Sequence, residues 1–296
     1  MSYDLFFRSR TVDQQLLLAD FANYFSYRRF FEIQGAQAWY TNQDSGVYFS
    51  FDYLSNSPEE EDEAGEGLLP VPFNLNYFRP HPFGLEAEPE VQAFVKHFNL
   101  TVSDPQTDGM GEGEYSRSGF LRGWNAGNAF AYRAMLSQDQ TQRVLSLPSA
   151  RIETYWRWNC SRAARQDEIG ESAFVPGVFF FDVEGEVRTG AIWGDGIPIL
   201  LPEVDQVIVP RQRLAPRRWF SHKDDMVVFS WAELETTLEG FPSSSEELAC
   251  YKLFYDATPP EIENLIREKQ PPKEKPKGVP FDQVLDRELI SQAKPK

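Results

Sequence analysis

The soft metal ligands of this chain are three histidines, His81, His97 and His222, and two cysteines, Cys160 and Cys250. No two histidines stand at helical spacing and no C-x-x-C pair occurs, so a zinc site would have to be gathered from distant segments. No metal and no cofactor is expected. No G-x-S-x-G elbow is present to raise a nucleophile. Cys160 falls inside a predicted helix beside Trp156 and Trp158 and reads as a buried thiol rather than an activated thiolate. Gly109, Gly111 and Gly113 alternate in a predicted loop, but no Lys-Ser or Lys-Thr pair follows them, as a phosphate-binding loop requires. A paired-carboxylate hydrolase needs two acids at a fixed separation in space. Asp104, Asp195 and Asp205 are the loop acids available, though Asp195, in Gly194-Asp195-Gly196, suits a turn. No residue is assigned a catalytic role.

Two polar clusters carry more information. Trp124, Asn125 and Asn128 share a predicted helix, and Asn125 is expected on one face with Leu121, Asn128 and Tyr132. Buried amides must be hydrogen-bonded, so these either hold the Ser103–Gln106 loop or line a polar pocket. The second cluster is Trp156, Trp158, Asn159, Arg162, Arg165 and Gln166. Arg and Trp at helical spacing stack, or grip a carboxylate, which suits an internal ion-pair network or an anionic ligand.

Charge is the strongest signal. The formal net charge is −16, and six of the eight residues from Glu59 to Glu66 are acidic: Glu59, Glu60, Glu61, Asp62, Glu63 and Glu66. Such a field repels nucleic acid and anionic membrane and attracts basic proteins. Arg211, Arg213, Arg217, Arg218 and Lys223 form a basic stretch around Trp219. Against the global negative charge these are expected to neutralise acids within the fold, or to lie on the outer side of a loop. The 24 Phe, 12 Tyr and 7 Trp supply an aromatic core or surface. No apolar run approaches membrane-spanning length, and Met1-Ser2-Tyr3-Asp4 does not open a secretory signal. Two distant cysteines fit free thiols in a reducing, cytoplasmic setting.

The elements that must position these groups alternate irregularly. Tyr3–Phe7 reads as a strand, and Thr11 with Gln14 as a capping box for a helix burying Val12, Leu16, Leu17, Phe21, Tyr24 and Phe25. Strands follow at Ala38–Thr41 and Val47–Tyr53 across a turn at Asn42–Gly46. Pro89-Glu90 is expected to open a helix, and further helices are expected over 118–136 and 149–168. Phe174–Asp182, Val187–Trp193, Ile197–Leu201 and Gln206–Val209 read as an antiparallel meander, with one more strand at Met226–Phe229. Ser230 with Glu233 caps a short helix, Thr258-Pro259-Pro260 starts another, and 271–277 reads as a linker. The expected fold is α+β: mixed helices with mainly antiparallel sheet, the second half more β-rich. The expected parts are 1–148, 149–268 and a Pro/Lys-rich tail 269–296, with one continuous domain over 1–268 as the alternative.

The Tyr3-Asp4-Leu5-Phe6-Phe7 opening followed by a capped helix, with the acidic composition, resembles bacterial polymorphic-toxin immunity proteins. The resemblance implies a cytosolic α+β protein that blocks a toxin by binding it directly, and it assigns no individual residues. The expected function is therefore inhibition of a basic partner protein, with the Glu59–Glu66 acids meeting that partner. The alternative is a hydrolase or transferase. Its pocket between the two halves would draw on Asp104, Gln106, Trp124, Asn125, Asn128, Trp158, Arg162 and Arg165.

Overall fold

A computed structural model describes residues 1–10, 16–54, 69–138, 143–215, 225–244 and 248–293 of the chain. It is α+β, and the chain divides into two compact units, Met1–Val144 with the return from Leu285 onward, and Leu145–Val284.

The first unit is laid out as β1 (Ser2–Ser9), α1 (Leu18–Ser26), β2 (Phe31–Gln34), β3 (Gln37–Asn42), β4 (Val47–Asp52) and β5 (Phe73–Asn76), then α2 (Pro82–His97), β6 (Leu100–Asp104), β7 (Gly111–Gly113) and α3 (Arg117–Gln138). The strands form one sheet, ordered β2-β3-β4-β5-β1-β6-β7, with antiparallel neighbours throughout. Alternation decides which face is covered. In β1 Tyr3, Leu5 and Phe7 point inward, and Phe49, Phe51 and Phe73 continue that face along β4 and β5. The helices close over it with Phe21, Phe25, Phe94 and Phe120. Phe51 meets Phe94, Phe25 and Phe73 at ring separations of 4.9, 5.0 and 5.2 Å. These phenylalanines are thus core, each buried ring contributing about 1.5–3 kcal/mol.

Two expectations shift here. The capping box at Thr11 and Gln14 lies outside the described residues, and the described helix begins at Leu18. The helix expected from Pro89 begins at Pro82 instead, with Phe83, Ala87, Val91 and Phe94 buried at helical spacing. Pro82 sets the first turn, where a missing N–H costs nothing, and Pro89 sits on the exposed face.

The second unit comprises β8 (Ser146–Leu147), α4 (Ser149–Ile169), β9 (Val178–Val183), β10 (Glu186–Ile192), β11 (Ile199–Pro202), β12 (Gln206–Pro210) and β13 (Met226–Ser230). It continues with α5 (Trp231–Leu238), β14 (Ser243–Ser244), β15 (Cys250–Leu253), α6 (Pro260–Glu268) and β16 (Lys277–Val279). The expected meander is corrected. β9 and β10 form a hairpin, but β11 leaves to pair with β15, and β12 returns parallel to β10. The main sheet runs β13-β12-β10-β9-β16, and Lys277, taken for linker, begins its edge strand.

The chain then rejoins the first unit through β17 (Leu285–Asp286) and α7 (Arg287–Ala293). Leu285 and Ile290 pack with Tyr132 and Leu136 of α3, and Val144 lies against the same cluster.

Candidate functional site

The acids Glu59, Glu60, Glu61, Asp62, Glu63 and Glu66 lie outside the described residues. The chain on either side of them is fixed. Asp52 N donates to Pro72 O at 3.0 Å, Leu54 N to Pro70 O at 2.7 Å, and Leu69 N to Phe7 O at 2.8 Å. The described residues that flank the acidic run therefore lie together on the sheet, as its stem. Beside the stem, Tyr53 Oη donates to Leu16 O at 3.1 Å and its ring lies 5.7 Å from Phe21, which brings up the start of α1. There Leu17 and Leu18 are 56% and 43% exposed, and Leu54 on the stem is 52% exposed. Aliphatic side chains so open to water offer an apolar anchor for a partner.

A groove of about 420 Å³ follows α1 past Asp20, Asn23, Tyr24 and Arg28 to His97. The Tyr24 ring packs 4.7 Å from His97 and 5.2 Å from Phe98, with the Arg28 guanidinium 5.0 Å from its centre. Burial pushes the Tyr24 phenol up to about 12; the Arg28 charge opposes this and the Glu90 charge adds to it.

The residues expected to line a pocket are placed as follows. Asp104 is buried and accepts from Tyr3 Oη at 2.8 Å, Met110 N at 2.9 Å and Gln106 N at 3.0 Å. It closes the 104–110 loop, with Gly109 so near that a Cβ there would fall 2.2 Å from the carboxylate. Gln106 Oε1 accepts from Tyr77 Oη at 3.3 Å, and Trp124 stacks 5.4 Å from the Tyr77 ring. Asn128 does hold a backbone loop, though not Ser103–Gln106. It accepts from Phe78 N at 2.8 Å and Arg79 N at 3.3 Å and donates to Arg79 O at 2.8 Å. Asn125 is exposed, because the buried stripe of α3 passes through Phe120, Trp124, Asn128 and Tyr132.

Trp158, Arg162 and Arg165 belong to the second unit. Trp158 is buried and donates Nε1–H to Pro176 O at 2.8 Å, while Arg165 stacks 4.8 Å from its ring. Asn159 and Gln166 clamp the segment entering β9: Asn159 exchanges both bonds with Val178, and Gln166 bonds Ala173 and Val175. That clamp turns Trp158 inward and Cys160 outward. Cys160 is exposed, contrary to the buried thiol expected, and Cys250 is buried. Arg162 is half-buried near Gly177. In the basic stretch, Arg211 is buried against Asp225 at 2.9 Å and Arg213 pairs with Glu263 at 2.7 Å. The carboxylate of Asp195 accepts from the backbone of Gln212, Arg213 and Leu214. Arg217, Arg218, Trp219 and Lys223 lie outside the described residues.

One buried constellation gave no signal in the sequence. Asp286 accepts from His81 N at 2.8 Å, its other oxygen lies 2.7 Å from His81 Nδ1, and Tyr132 Oη donates to it at 3.4 Å. The partners stand 205 and 154 positions apart in the chain. Among the described residues no group of His, Cys, Asp and Glu is placed to hold a metal ion, and no helix is long and apolar enough to cross a membrane. Comparison with known proteins finds no matching family model, no similar curated protein and no similar solved structure.

Proposed function

We propose that this chain is a cytoplasmic binding protein that captures a basic protein and inhibits it by covering its working surface, as an immunity protein does a toxin. The observation that carries the reading is the stem at Leu54 and Leu69. It tethers a run holding six acids and no Lys or Arg beside the exposed Leu17, Leu18 and Leu54. Clustered charge speeds the encounter with an oppositely charged partner, and desolvated apolar side chains slow its departure. The internal ion pairs support the same reading. Arg10, Arg28, Arg117, Arg211 and Arg213 each meet a carboxylate of the same chain, so these five charges are offset within the fold. Two cysteines not joined in a disulfide fit a reducing compartment.

The test is association of the purified chain with basic products of neighbouring genes, measured from low to high salt. Replacing the six acids with their amides is expected to slow association about tenfold or more and to flatten its salt dependence. Leu17→Ser with Leu18→Ser is expected to raise the dissociation rate and leave the salt dependence intact. Association indifferent to salt, or none with any basic protein, would overturn the reading.

A further inference from the structure

The second unit holds a cleft of about 460 Å³ that the binding surface above does not use. Its polar groups are held in place from behind. Arg151 donates through Nη2 to Tyr155 Oη at 3.0 Å and to both oxygens of Asp205 at 3.1 and 3.2 Å. Thr189 fixes Asp205 from the other side, through N at 2.8 Å and Oγ1 at 2.9 Å. The guanidinium is therefore pinned by one nitrogen, and its Nε and Nη1 have no partner among the described residues. Arg188 on the same lining is likewise engaged only through Nη2, with Glu186 at 2.7 Å. The same lining carries acceptors. Glu203 is exposed, and Gln206 Oε1 is buried without a hydrogen-bond partner among the described residues. Trp231 supplies an aromatic wall.

Charge and geometry together select the ligand. The two arginines on the lining are offset by Glu203 and Asp205, so the cleft favours neither an anion nor a cation. What remains is a set of planar donors and acceptors on one lining with an indole. A hydroxyl group donates one hydrogen bond and accepts two. A ring bearing several hydroxyls matches such a set edge-on, while its C–H face packs on Trp231. We propose that this cleft binds a neutral sugar in its pyranose form. A neutral ligand also enters without the desolvation cost of an unpaired charge, which the balanced lining would not repay.

The probes are glucose, galactose and N-acetylglucosamine, titrated into the full chain and followed by the indole N–H resonance of Trp231, assigned with Trp231→Phe. A saturable shift in the millimolar range with at least one sugar is expected. Arg188→Gln, on an exposed side chain, and Trp231→Ala are each expected to weaken it about tenfold, the loss of a charged hydrogen-bond donor to the sugar or of a stacking face. Thermal unfolding of each variant separates a lost site from a lost fold, and Arg188→Gln serves if Trp231→Ala does not fold. Inorganic phosphate and glycine are the charged controls. No saturable shift with any of the three sugars, tighter binding of phosphate or glycine than of the best sugar, or undiminished sugar binding by folded Arg188→Gln would each overturn the assignment.

Discussion

At the scale of single residues, much of the chemistry the sequence offered is consumed in holding backbone. Asn128 satisfies two N–H groups and one carbonyl of the Phe78–Arg79 turn, where Phe78 takes a left-handed φ of 60°. A side chain other than glycine persists in that region only when its surroundings enforce it. Asn128→Ala orphans all three groups and is expected to lower unfolding stability by about 2–4 kcal/mol, measured by urea denaturation. Gly84 makes the complementary case. A Cβ there would lie 2.1 Å from the Trp124 ring, so Gly84→Ala is expected to cost about 1–3 kcal/mol in the same assay. The need of Asn128 for partners was legible from its place on a half-apolar stripe. Which loop it would serve was not, because Phe78 is brought to it by the sheet and not by the helix. Asn125 was misplaced for a related reason: three and four residues from Asn128 and Leu121, it satisfies the spacing of either face until Trp124 settles which side is inward.

At the scale of elements, the local signals held where one segment contained all its partners. Ser230 and Glu233 cap α5 as their spacing predicts, with Ser230 N donating to Glu233 Oε2 at 2.8 Å. The added partner, Lys269, comes from beyond α6 and left no local trace. Hydrogen bonds from Lys269 and then from the Ser230 backbone hold the Glu233 carboxyl below its usual 4.5, against a small opposing effect of burial. A depressed acid contributes stability that is complete above its unfolded value and is lost as pH falls through the folded one. Glu233→Gln is therefore expected to lower the melting temperature at pH 7, and the deficit is expected to shrink as pH falls below the ordinary carboxylate range, as thermal unfolding across that range would show. Strand pairing was less readable. The runs from Phe174 to Val209 have the composition of a meander, but nothing in them announces that β11 crosses to β15, whose residues lie some fifty positions on. On α4 the thiol of Cys160, expected buried, faces outward because Trp158 and Asn159 are drawn inward by the segment from Pro176 to Val178.

At the scale of the whole molecule, the last segment is the decisive connection. Asp286 and the apolar side chains of Leu285 and Ile290 complete the first unit from the far end of the chain. Truncation after Val284 removes these groups and leaves His81 N and Tyr132 without their carboxylate. It is expected to cost the first unit about 3–6 kcal/mol from the lost apolar burial alone. Hydrogen exchange in α3 should report it, and unchanged protection there would count against the arrangement. Net charge and broad class are properties of composition and were legible at once. The return of the C-terminus was not, since its partners are scattered from His81 to Leu136.

The same cluster that receives Leu285 also receives Val144. The points where the backbone departs for the second unit and comes back are thus neighbours, and the intervening stretch has the topology of a guest spliced into a host. Such a guest can be gained, exchanged or lost in one genetic event, because the host on either side of the splice needs only a short join to remain a continuous polypeptide.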